Sequence, residues 1–370
     1  MANDLSTPLT GRKRRAGAAP AGFPLARVLL GVLVLGAGAI GARLLLVDDP
    51  DGGRPSREVA ITTTRSGNEV ASAVAQGPVT ITADPEQSPA GAQAAARPAP
   101  ATAALPDPAG VLPDLSEETA EGPIPRISAT GETPFRAYAR PDNGAVASGR
   151  PMIALVVTGL GINEQGSLQA IEQLPGEVTL GFAPYGKTLR STVAAARADG
   201  HEVLLELPLE PFDFPQNDPG PHTLLTGETT QSNLDRLFWL MARFGGYAGV
   251  LNNMGARFTA SGADFAPIVE ELGARGLGYL DDGSSNRSLA PQLAGSNKVP
   301  FARADLMVDA NPAEAAILSA LGSLEAKAVE NGSAIGIVSA LPISVSTIAK
   351  WSSELESRGL VLVPATALMK

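Results

Sequence analysis

Met152-Ile153-Ala154-Leu155-Val156-Val157 runs into Thr158-Gly159-Leu160-Gly161, and an amphipathic stretch follows at 164–174. A short apolar run, a glycine-bearing turn and a helical period together make one strand–loop–helix unit. The same unit recurs toward the C-terminus. Apolar runs at 152–157, 177–182, 202–207, 248–251, 278–280, 305–308, 334–338 and 360–363 alternate with amphipathic stretches at 187–199, 231–244, 263–275, 312–330 and 345–358. Gly200, Gly245, Gly276 and Gly359 close several of those stretches where a left-handed cap is wanted. Eight strands alternating with helices over residues 150–370 predict one α/β domain with a mostly parallel, barrel-like sheet.

Upstream the pattern changes. Residues 122–149 carry Ile124, Ile127, Phe135 and Tyr138 in what reads as an extended lead-in packed on the domain. Residues 48–121 read as a disordered linker. Within it, 19 of the 30 residues at 81–110 are Ala, Pro or Gly, too little apolar area to offset the entropy of ordering the chain. The run from Val28 to Val47 (28–47), with Arg43 snorkelling, is long enough to cross the hydrocarbon core as one helix. Residues 1–27 carry a net charge of +4 and Asp48, Asp49 and Asp51 follow the run. The positive-inside rule therefore predicts a basic cytoplasmic tail, a single inner-membrane span and a periplasmic domain.

Composition narrows the chemistry. The chain has no Cys, which removes disulfides, thiolate metal sites and a thiol nucleophile, and it has only two His. Residues 28–370 hold a net charge of −14, a poor partner for nucleic acid. Two nucleotide motifs are present in form only. Gly36-Ala37-Gly38-Ala39-Ile40-Gly41 lacks the helix and second strand of a dinucleotide fold. Gly181-Phe182-Ala183-Pro184-Tyr185-Gly186-Lys187-Thr188 puts bulky side chains and a proline where a phosphate loop needs small residues and free N–H donors. No nucleotide and no cofactor is expected.

The carboxyl ends of the strands hold the polar candidates, as such folds require. His201, in Gly200-His201-Glu202, suits a structural bond to backbone. His222, in the loop Pro219-Gly220-Pro221-His222-Thr223-Leu224, suits the lining of a cleft. Asp281 and Asp282 suit metal ligation, general acid–base work or the capping of the following helix or turn.

These loops together resemble the divergent polysaccharide deacetylases, relatives of the NodB-type carbohydrate esterases. The resemblance rests on Gly200-His201-Glu202, Leu207-Pro208-Leu209-Glu210-Pro211, the 219–224 loop, Asn253-Met254-Gly255-Ala256-Arg257-Phe258-Thr259 and Arg275-Gly276-Leu277. It implies a distorted (β/α) barrel and metal-dependent removal of an acyl group from a glycan. It also implies that this chain has lost most of the metal ligands. The family's Asp pair after the first strand is Thr158 and Gly159, one histidine position is Asn253, and another is Ser339. By spacing, the His-x-x-x-His pair falls on Glu206 and Glu210, the acids that a harder ion would have to use. No metal is expected.

The resulting expectation is a membrane-anchored periplasmic protein that binds envelope glycan or peptidoglycan as a pseudoenzyme. His222, Asn253, Arg257, Asp281, Asp282 and Ser339 are the expected sugar-binding residues. An active hydrolase working through Asp281, Asp282 or Glu210 is the enzymatic alternative, and a scaffold in an envelope complex the structural one.

Overall fold

The structure, a computed structural model, describes residues 110–370. The expected basic tail, the run 28–47 and the linker up to residue 109 lie outside the described residues. Among the described residues no helix is long and apolar enough to cross a membrane.

A small antiparallel hairpin comes first, β1 (Ser116–Thr119) against β2 (Gly122–Pro125). Leu115 and Ile124 are buried beside it, so the packed unit begins before residue 122, where the linker was expected to end. The lead-in is accordingly a hairpin followed by a short helix α1 (Pro134–Tyr138), which Thr133 caps by accepting from Arg136 N–H.

Nine parallel strands form the main sheet. They are β3 (Met152–Leu160), β4 (Thr179–Phe182), β5 (Val203–Leu209), β6 (Gly249–Met254), β7 (Gly278–Asp281), β8 (Phe301–Arg303), β9 (Leu306–Met307), β10 (Ser333–Ser339) and β11 (Val361–Leu362). Their order is β8-β7-β6-β5-β4-β3-β10-β9, with β11 beside the start of β3. Helices α2 (Glu164–Gln173), α3 (Leu189–Ala198), α4 (Thr230–Met241), α5 (Gly262–Ala274), α6 (Ala290–Asn297), α7 (Glu314–Asn331) and α8 (Pro342–Ser353) fill the connections. Strand β8 and helix α6 have no counterpart in the sequence reading. The strand is three residues behind a proline, and the helix is only eight residues long.

The two sheet edges meet through consecutive residues. Ala304 N–H donates to Asp281 O at 2.8 Å and Asp305 N–H to Ile335 O at 2.8 Å, so the chain steps directly from the β7 side to the β10 side. The result is a parallel-strand α/β half-barrel. Side chains alternate across each strand. Ile153, Leu155 and Val157 join the large core under the helices, whereas Ala154 and Val156 point into the barrel with Leu204, Leu251, Leu280, Ile335 and Ile337. Val363, Ala365 and Met369 from the C-terminal segment pack into the same inner core. The barrel is thus a filled core and not a pore, as small barrels must be.

Candidate active site

Alternation also determines what lies above that inner core. One step beyond Val156 is Thr158, beyond Leu204 is Glu206, beyond Leu251 is Asn253, and beyond Leu280 is Asp282. These four, with Leu251, Asn252, Met254, Met307 and Ile337, line a cavity of about 70 Å³ at the carboxyl ends of the strands. That space holds a water or two, or a two-carbon acyl group.

Glu206 dominates its chemistry. It is buried, and Gly159 N–H donates to its Oε1 at 2.5 Å. The donor is available because β3 bulges between Val157 and Leu160, with Gly159 at φ +83°, a conformation that costs glycine little. Burial pushes the Glu206 carboxyl up to about 7, and the Gly159 N–H only partly opposes it. Asp282 is also raised by burial, against hydrogen bonds from Ser284 and a contact with Asn252. Asn252 joins two strands at this point. Its Oδ1 accepts from Asp282 N–H at 2.9 Å and its Nδ2 donates to Met254 O at 2.7 Å. Met254 itself is held at φ +61°, a strained value for a non-glycine residue.

The remaining sequence candidates are placed elsewhere. Asp281 is buried under the turn after β7, accepting from Gly283 N–H at 2.8 Å and from Ser288 Oγ at 2.5 Å, so it ties that turn together. Glu210 is equally committed. It accepts from Thr226 N–H and Oγ at 2.5 and 2.7 Å and pairs with Arg257 Nη1 at 3.0 Å, which also occupies Arg257. Ser339 N–H donates to Asp309 Oδ2 at 3.0 Å. None of these four lines the cavity. His222 lies flat on Trp239, ring centroids 3.5 Å apart, while the Arg243 guanidinium sits 4.0 Å from the same ring. The loop that carries His222 wraps Tyr185, whose hydroxyl and ring would clash with any Cβ at Gly220, so the Pro-Gly-Pro-His motif works as a clasp. His201 bonds the carbonyls of Val178 and Ile171 at 2.8 and 3.2 Å, the backbone role expected of it.

The metal implied by the resemblance can be tested on this donor set. The cavity offers two carboxylates, two amides and a hydroxyl, but no imidazole, and Glu210 is turned into its own ion pair. Among the described residues no group of three or more His, Cys, Asp or Glu is placed to hold a metal ion. The residues present do not fit a catalytic transition metal, which needs about three such ligands.

Glu206 was read from sequence only as a spaced ligand replacement. The signal for its true position was the alternation Leu204-Glu206-Pro208, which turns it to the barrel interior.

A family model described as divergent polysaccharide deacetylase matches residues 155–369. The chain is 44% identical to protein ATU2773 from Agrobacterium tumefaciens C58 and superposes on its crystal structure with a TM-score of 0.64, covering 66% of this chain and 98% of that one. It is 23% identical to the uncharacterized protein YibQ of Escherichia coli (strain K12) over 218 residues, 59% of this chain and 67% of that protein. With more than half its length matched by the family model, the chain belongs to the divergent polysaccharide deacetylase family.

Proposed function

We propose that this protein binds an envelope glycan, peptidoglycan being the first to test, with a substituent of the sugar seated against Glu206. With respect to the family's metal-dependent reaction it is a pseudoenzyme. The observation that carries this reading is the cavity itself, a small polar pocket with apolar walls at the active end of a barrel whose donor set fits no metal. Asn253 and Asp282 on its wall supply a donor and an acceptor for sugar hydroxyl or amide groups.

The domain would act on the periplasmic face, held by the run 28–47. The basic flank before that run and the acidic residues after it support this placement.

Calorimetric titration of soluble peptidoglycan fragments into the full chain tests the reading. Asn253→Ala is expected to weaken binding by ~1–2 kcal/mol through the lost amide contacts. Fragments that fail to bind the wild type would refute it.

A further inference from the structure

Away from the Glu206 cavity, two hollows of opposite character lie side by side where the β1–β2 hairpin meets the start of α3 and the end of α4. One, of about 370 Å³, is walled chiefly by Val111, Leu115, Pro123, Ile124, Tyr138 and Phe244, with Glu118 the acid on its wall. The other, of about 510 Å³, is walled by Lys187, Arg190 and Arg243, with Glu121 the acid on its wall. Arg190 and Ala242 line both, so the two hollows are continuous around these side chains. Each is the size of a small-molecule site, ~300–1,000 Å³.

The basic hollow reverses the sign of its surroundings, since residues 28–370 carry a net charge of −14. Arg140, Arg236, Arg257, Arg275 and Arg303 each sit against a carboxylate. Lys187, Arg190 and Arg243 pair with none among the described residues. Arg243 is nonetheless held in place. Its Nε donates to Trp239 O at 3.0 Å and its guanidinium lies 4.0 Å from the Trp239 ring, which leaves the terminal amino groups for an incoming acceptor. The stretch Gly181–Thr188, unfit as a backbone phosphate loop, thus brings Lys187 and Thr188 to an anion site by their side chains.

A basic hollow alone would take any small anion, and an apolar one any hydrocarbon. Joined, they match one molecule that carries both parts. We propose that this face binds an anionic phospholipid, its phosphate among Lys187, Arg190 and Arg243 and the near end of an acyl chain in the apolar hollow. Guanidinium forks suit phosphate oxygens, and affinity for a lipid surface grows with buried apolar area plus attraction to anionic headgroups. The chain that follows the run 28–47 also joins the domain at this face, because Val111 lines the apolar hollow. The glycan seat at Glu206 plays no part in this inference.

The test places the full chain in phosphatidylcholine nanodiscs with and without phosphatidylglycerol. An amine-selective reagent labels the exposed lysines, and mass spectrometry follows Lys187 against Lys298 and Lys350, which line neither hollow. Lys187 is expected to label about fivefold more slowly in the anionic discs, the ratio one cation contributes at an anionic surface, while the two reference lysines label alike in both. Arg190→Gln and Val111→Asp should each remove most of that protection with the circular dichroism spectrum kept. Equal Lys187 rates in the two discs would overturn the inference, as would slowing shared by Lys298 and Lys350. Glycerol phosphate that protects Lys187 in neutral discs as well as the lipid does would overturn it by showing a site for free anions. Protection that survives Val111→Asp would overturn it by showing that the apolar hollow takes no part.

Discussion

Replacing Glu206 with Gln separates the energetic cost of this carboxylate from its chemistry. In the unfolded chain the group titrates near 4.5, and in the fold burial pushes it up to about 7. Below pH ~4.5 both states hold the proton and nothing differs. Between ~4.5 and ~7 the folded state keeps a proton that the unfolded state releases, so stability falls as pH rises. Above ~7 both are ionised and the full cost is in place. At 1.36 kcal/mol per unit that cost is about 3 kcal/mol, and a glutamine never incurs it. The Gln side chain still offers Oε1 to Gly159 N–H, so the fold loses no acceptor there. Urea denaturation of wild type and variant at pH 4 and pH 8 measures the effect. The stability of the variant relative to wild type should rise by about 3 kcal/mol across that range. Other raised acids such as Glu202 and Asp282 cancel in the comparison. A change below ~1 kcal/mol would refute the view that Glu206 is a costly, under-partnered acid.

Glu210→Ala should cost about 3 kcal/mol, because it removes an ion pair and two hydrogen bonds from a buried strut, and chemical denaturation reads it directly. Gly220→Ala should destabilise by ~1–3 kcal/mol, since Gly220 sits at φ +147° against the Tyr185 ring, and a lowered denaturation midpoint with unchanged slope would show it. Added Zn²⁺ should leave the melting temperature nearly unchanged, because a ligand stabilises only as far as it binds the fold. A periplasm-dependent reporter fused after Gly110 should be active, and activity only from a cytoplasmic reporter there would overturn the topology.

The barrel was legible because its units repeat a simple physical rule, apolar run then amphipathic helix, and six helices and eight of the nine main-sheet strands follow it. What escaped was short or non-local. Three residues at Phe301–Arg303 carry no period to detect, and the bridge through Ala304 and Asp305 depends on partners at Asp281 and Ile335. The candidate site was legible in its region but not in its assignments. Paired acids at Asp281-Asp282 read alike in sequence, yet alternation sends one under a turn and the other to the cavity. Glu206 and Glu210 read as a ligand pair, yet four residues of strand and loop separate a cavity wall from an ion pair with Arg257. Asn253, at the end of its strand, lines the cavity.

The most direct measurement is the calorimetric affinity of the full chain for soluble peptidoglycan fragments, taken with and without a strong chelator. Metal-independent recognition at the Glu206 cavity predicts the same affinity in both conditions and a loss of about five- to thirtyfold on Asn253→Ala. Binding abolished by the chelator, or untouched by Asn253→Ala, would contradict it.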